Sequence, residues 1–248
     1  MSTSAAFLIL LAALITACIS GIFGMAGGLI FMGVIASMMG VAQAMVVHGA
    51  VQSVSNGSRA LMLRGHIRWD ILRHMLIGAL PAIALLSLIA FVPSKSALFI
   101  TLGLLPILLW LPRRLLAFDA ERRRDAVLCG ALVMGLNLSA GVAGPALDMF
   151  FIKTSLRREQ IVATKAVAMF GSHMVKIVYF GAALIKASEL AGLPPLWVFA
   201  VAAPCVIAGT FIGTRILKRL SDVGFRQYTK WLVTVIGAVY VVRGLGMG

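Results

Sequence analysis

The chain is poor in acid. It has 8 Asp and Glu against 22 Lys and Arg in 248 residues. With so few carboxylates scattered this widely, no multi-carboxylate metal cluster forms, and no HExxH-type zinc motif is present. No nucleophile stands beside a base in a recognisable setting, so an enzyme is not expected. Cysteine is also scarce. Cys18, Cys129 and Cys205 fall in apolar segments at unrelated spacings, which argues against a disulfide framework or a metal motif. No cofactor is expected. Lys and Arg are missing from residues 1–17. Ile15-Thr16-Ala17-Cys18 resembles a lipoprotein cleavage box, but without a basic leader the stretch reads as a first membrane segment. Almost no chain is left over for a soluble domain.

What the chain has is apolar sequence. Hydrophobic residues make up 61% of it, and the mean hydropathy is +1.03. Both values exceed those of a soluble domain, and several runs approach or exceed 18 apolar residues. The class is therefore an all-α polytopic membrane protein whose first partner is the lipid bilayer. The formal charge of +14 would suggest nucleic acid in a soluble protein. Here it lies mostly in short loops, where it reads as a topology signal, and no nucleic-acid partner is expected. Asn56-Gly57-Ser58 and Asn137-Leu138-Ser139 match the glycosylation sequon, but in or beside membrane segments no glycan can sit.

Ten apolar segments follow, at about 5–22, 28–40, 43–63, 71–92, 96–112, 126–139, 145–153, 160–185, 196–214 and 228–245. The third is roughly 31 Å long at about 1.5 Å per residue, enough to cross. The sixth and seventh are too short to span singly. Pro81, Pro106 and Pro204 lie inside segments and read as kinks. The first two segments, and likewise the sixth and seventh, form pairs that return to the side they left. Whether each pair is a re-entrant hairpin or two spans stays open. The loops around 64–74, 113–124 and 215–230 carry most of the Lys and Arg, so they are placed in the cytoplasm. Both termini then fall outside.

The two halves repeat. Gly24-Met25-Ala26-Gly27-Gly28 matches Gly141-Val142-Ala143-Gly144-Pro145 at an offset of 117. The same offset lays His48 on Lys165, Gln52 on Met169, Ser55 on Ser172, Asn56 on His173 and Arg59 on Lys176. In each half a glycine break precedes a helix with a polar stripe at i, i+4, i+7, i+8, i+11, which is one helix face. Each half crosses an odd number of times, so the second is inverted relative to the first. The division is 1–116 for the first repeat and 117–248 for the second. Inverted repeats with broken helices and a site near the midplane are the architecture of secondary transporters.

The stripes are basic, so the expected partner is a small anion. A charge at the bilayer centre costs about 3 kcal/mol or more, and such residues face a protein interior or a cavity. A helix starting at mid-membrane aims free N–H groups at an anion, and proline suits its first position. The candidate binding residues are thus Gly27, Gly28, His48, Gln52, Asn56, Arg59, Gly144, Pro145, Lys165, Ser172, His173 and Lys176. Small residues at the breaks also suit close helix packing. Arg59 also suits snorkelling, since it lies five residues from Arg64 at the cytoplasmic end. Asp148, the one acid inside an apolar segment, either pairs with Lys165 or carries a coupling proton. No strand surrounds the glycines, so they are not a dinucleotide fingerprint.

The repeated Gly-x-x-Gly-Gly/Pro break, the segment lengths, the short chain and the interior basic stripe together resemble the TauE/SafE family of sulfite and organosulfonate exporters. The resemblance covers nearly the whole chain. It implies a multi-pass transporter of small sulfur oxyanions or sulfonates in the plasma membrane, the inner membrane of a bacterium. A passive anion channel or a carboxylate permease is the competing reading. The oligomeric state, a homodimer included, and the direction of transport stay open.

Overall fold

The computed structural model describes residues 2–23, 26–111, 118–217 and 222–247. Gly24, Met25, Arg113, Arg114, Lys218 and Arg219 of the breaks and loops read above lie outside the described residues. The described chain folds into ten α-helices: α1 (Thr3–Phe23), α2 (Ala26–Met38), α3 (Val41–Met62), α4 (Trp69–Leu88), α5 (Lys95–Leu104), α6 (Arg123–Ser139), α7 (Gly144–Phe151), α8 (Arg158–Lys186), α9 (Leu196–Leu217) and α10 (Asp222–Leu245). Each matches one segment of the sequence. There is no strand among the described residues. The one clear departure is at 96–112, where α5 stops at Leu104 and Leu105–Trp110 continues as a 3-10 helix. Pro106 has no N–H to return to Leu102, and its ring crowds that carbonyl. Pro81 and Pro204, by contrast, sit within continuous helices.

α1, α4, α8 and α9 are long and apolar enough to cross a membrane. Large apolar side chains cover the outside, among them Leu88, Leu196, Phe211 and Val242. A water-facing surface would not carry them; a lipid-facing one does. The protein is therefore a multi-pass membrane protein. α2 and α7 are shorter, about 20 Å and 12 Å at about 1.5 Å per residue. Each folds back beside the helix before it.

The helices pair through glycines. A Cβ on Gly21, Gly209 or Gly213 would strike the facing backbone where α1 meets α9. The same holds for Gly78 and Gly130 between α4 and α6, and for Gly103 and Gly237 between α5 and α10. With no side chain in the way, backbones approach closely and gain dispersion contact that lipid cannot match. The fourth pair is α3 with α8, where Gly49 faces His173 and Ile177 while Gly57 faces Phe170. That order makes the two helices antiparallel. α5 and α10 are also antiparallel, with Ser96 donating to the Gly244 carbonyl at 2.7 Å and Gly103 against Gly237. Exchanging each helix for the one five places along turns α1–α9 into α4–α6 and the reverse, and maps α3–α8 and α5–α10 onto themselves.

The loops sort by charge. At one end Arg68 reaches Asp70 at 2.6 Å and Glu121 at 3.4 Å. Glu121 also accepts from the Ser155 amide at 2.7 Å and its hydroxyl at 2.9 Å. The Arg68 amide donates to Thr164 at 3.0 Å. At the other end Gln43 donates to Glu189 at 3.3 Å and Lys95 to the Met39 carbonyl at 3.4 Å. Both termini lie at this second, sparsely charged end. Ala5 shares a recess with Gly40, Gln43 and Gly192, and Gly244 holds Ser96.

This geometry makes two predictions. Fusions at the N- and C-termini should behave alike, and a reporter that fluoresces only in the cytoplasm should stay dark at both. A bright signal at either terminus would reverse the orientation drawn from the basic loops. The second concerns Glu121. Bonds from the Ser155 amide, its hydroxyl and Arg68 hold the Glu121 carboxyl below its ordinary range. A lowered carboxyl stabilises the folded loops above its unfolded pKa of about 4.3 and loses that effect as pH falls through its folded value. The Ser155 amide should therefore keep its protection against hydrogen exchange from neutral pH to about pH 4 and lose it below. Glu121→Ala should lose it at neutral pH, and unchanged protection there would mean that the Glu121 side chain does not hold the loop.

Candidate functional site

The polar stripes of α3 and α8 face each other because the two helices cross antiparallel at Gly49. Their centre is Lys176, whose side chain is fully buried. An ammonium has three protons to donate and no lone pair. Lys176 Nζ directs them to His48 Nδ1 at 2.8 Å, the Gly141 carbonyl at 2.8 Å and Asn137 Oδ1 at 3.3 Å. With Nδ1 accepting, the His48 proton stands on Nε2, which donates to the Gly28 carbonyl at 3.1 Å. Asn137 is oriented by the same logic. Its Oδ1 faces the ammonium and its Nδ2 donates to Ser172 Oγ at 2.5 Å.

One cation thus holds both glycine breaks: Gly141 directly, Gly28 through His48. The local backbone makes this feasible. α6 ends at Ser139, and Gly141 then takes φ +74°, a left-handed turn that glycine adopts without penalty at helix ends. A side chain there would also strike the sulfurs of Met32 and Met45. The surroundings are dry. Phe31 stacks on His48 with centroids 6.0 Å apart, and His173 meets His48 edge-on at 5.5 Å. His173 is buried, and its Nδ1 has no hydrogen-bond partner among the described residues.

The other candidates lie around this cluster. Gln52 stands beside Gly28. Asn56 turns back on its own helix, donating to the Gln52 carbonyl at 2.9 Å. Arg59 is half-buried a turn further toward the basic end, with no ion-pair partner among the described residues. Gly27 is buried against α1, where a Cβ would meet the Thr16 carbonyl and Ser20. Gly144 and Pro145 open α7. Lys165 pairs with Asp148 of α7, about 16 Å along α8 from Lys176 at about 1.5 Å per residue. The α8 stripe therefore divides into an ion pair near the basic end and a cluster in the interior.

Asn137 was missed as a site residue, because its sequence context reads as a sequon in the wrong place. The available signal was a lone amide inside an apolar segment, one turn before a glycine break. The Gly141 carbonyl could not be found from residue types at all. Within the cluster Lys176 meets only neutral acceptors; no carboxylate bonds to it among the described residues. Nor do the described residues bring three His, Cys, Asp or Glu together for a metal. The arrangement can therefore receive negative charge.

Fold and site together define a polytopic membrane protein with a cationic, lipid-shielded centre built from interrupted helices. Residues 9–240 match the family described as Sulfite exporter TauE/SafE, and the chain belongs to that family. The family is one of membrane transporters of sulfur anions. No curated protein and no solved structure matches the chain.

One stability prediction follows from the Lys176 bonds. From sequence alone, removing a buried charge should cost the empty protein nothing. The three acceptors reverse that sign. Lys176→Met should lower the melting temperature in detergent, since each buried acceptor left unpaired costs about 1–3 kcal/mol. His48→Phe should lower it less, because it strands only one ammonium proton. A Lys176→Met protein that melts at or above wild type would show that the cluster does not hold the breaks.

Proposed function

We propose that the protein is a secondary transporter that moves a small sulfur oxyanion or sulfonate across the plasma membrane by alternating access between two inverted halves, with its basic end in the cytoplasm. The observation that carries this reading is the buried Lys176 ammonium, held between the two breaks with no carboxylate bonded to it among the described residues. Such a charge favours an anion that brings acceptors with it. Asn137 Oδ1 is the most distant of the three ligands and the easiest to displace. An oxyanion in its place would take a charge-assisted bond from Lys176, each such bond contributing about 1.5–3 kcal/mol. It would also meet the freed Asn137 amide and the Ser172 hydroxyl.

The pairing of helices supports two inverted halves. α3 and α8, and α5 and α10, stand as equivalents related by an axis in the membrane plane. Lys176 bonds to both halves: to His48 of the first, to Asn137 and Gly141 of the second. Movement of one half against the other must rearrange those bonds, and an arriving anion competes for the same protons. Binding and movement are thereby linked. A passive channel would need an open path past Lys176, and Lys176 is fully buried.

The test is binding of sulfite, sulfate, methanesulfonate and acetate to purified protein, read as thermal stabilisation, since a ligand of the folded state alone must raise the melting temperature. A sulfur anion should stabilise wild type and Arg59→Met. Lys176→Met should bind it about 10- to 100-fold more weakly, tenfold being about 1.4 kcal/mol. Loss of binding in Arg59→Met with retention in Lys176→Met would move the site toward the basic end of α3. No stabilisation by any sulfur anion would sink the reading.

A further inference from the structure

The geometry points to Lys176 itself as the carrier of a coupled proton, so that each monovalent anion crosses together with one H+. The inference rests on the transporter reading above and adds to it what drives transport.

The first ground is what surrounds the ammonium. α3 contributes His48 and α8 contributes His173; α6 and α2 contribute Asn137, Phe31 and two backbone carbonyls. Among the described residues no acid bonds to the group to take up a coupling proton. Asp148, the acid nearest in sequence to the second break, is engaged with Lys165. Glu121 and Asp70 belong to the basic-end network and Glu189 to the opposite end. The cluster holds one proton beyond neutrality. A second is disfavoured, because His48 Nδ1 lies 2.8 Å from the ammonium and two like charges so close repel strongly in a dry site.

The second ground is that the proton has a path. With the anion bound, the positive ammonium and the anion neutralise each other. When the anion leaves, the bare charge is costly. A proton can then pass from Nζ to His48 Nδ1 along their existing bond while His48 releases its Nε2 proton to water admitted with the departing anion. One N–H bond breaks at Nζ and one forms at Nδ1; a second N–H breaks at Nε2 and its proton leaves. Net, the site loses one H+. Lys176 is left as a neutral amine that accepts from Nδ1–H and still donates to Gly141 and Asn137. The Gly28 carbonyl loses its donor. The charged cluster thus ties both breaks, and the neutral cluster ties only the second, which loosens α2 from α3 in the empty protein while Lys176 and His48 stay bonded. The cycle moves H+ and X− together and, for a monovalent anion, carries no net charge.

The experiment uses the full chain in liposomes with a pH-sensitive dye inside, and methanesulfonate as the anion, because a strong acid's anion brings no proton of its own. Inward flux should acidify the lumen by one proton per anion. A pH gradient of one unit should drive about tenfold accumulation, the concentration ratio equivalent to about 1.4 kcal/mol. A potential clamped with potassium and valinomycin should leave the flux unchanged. Lys176→Arg keeps the charge but cannot give up its proton. It should still exchange labelled for unlabelled methanesulfonate, more slowly, while gradient-driven accumulation falls at least tenfold. The wild-type proton count stands without the variant. Flux that follows the membrane potential with no lumen acidification, or gradient-driven accumulation retained in Lys176→Arg, overturns the inference and leaves the transporter reading standing. No flux of methanesulfonate or sulfite overturns both.

Discussion

Two kinds of unpaired group meet at the centre of this protein. A helix that stops inside a membrane leaves carbonyls without helical partners, and no water is there to receive them. A lysine in the same place has three protons without acceptors. Gly141 and Lys176 meet each other's need directly, and a second proton goes to His48, which also bonds the Gly28 carbonyl in the first turn of α2. The rest follows from holding that arrangement. α3 and α8 must cross closely, so Gly49 lies at their contact. Gly141 must turn left-handed to aim its carbonyl. Phe31, Met32 and Met45 close the site against water.

The same bonds explain why the centre suits movement rather than simple rigidity. Hydrogen bonds from an ammonium can be exchanged one at a time, unlike an interlocked apolar core. Elsewhere the helices pair through glycines, with backbone against backbone. Such faces are smooth, and lipid surrounds them. The polar cluster joins the two halves by directional bonds deep in the interior, as Ser96 with Gly244 and Gln43 with Glu189 do nearer one end.

The Lys165–Asp148 pair shows how residues of one stripe separate in role. Both candidate readings of Asp148 were open from sequence, and in the structure it stands in an ion pair with Lys165. Once a carboxylate has a nearby cation at the basic end, it is not available to the interior cluster. Lys176 is left there with neutral partners alone.

Most of the architecture was legible in the chain. Hydropathy, length and glycine position are local properties, and in a membrane they dictate helices and their ends, since no other backbone form is satisfied there. Ten segments, two short pairs, two breaks and a polar stripe on the third and eighth helices could all be read. Pro106 converting a helix end to 3-10 could not, because Pro81 and Pro204 look the same in sequence and stay in helices; the neighbours decide. The pairing of α1 with α9 and α4 with α6 was equally out of reach, being a matter of which glycine faces which. So was the identity of the ligands to Lys176. His48 is 128 residues away, Asn137 looked like a sequon, and the Gly141 carbonyl belongs to no residue type. By itself, the sequence determined that a cation would be buried near two interrupted helices. Only the tertiary structure decided which groups receive its three protons, because hydrogen bonds depend on positions in space that one-dimensional spacing does not contain.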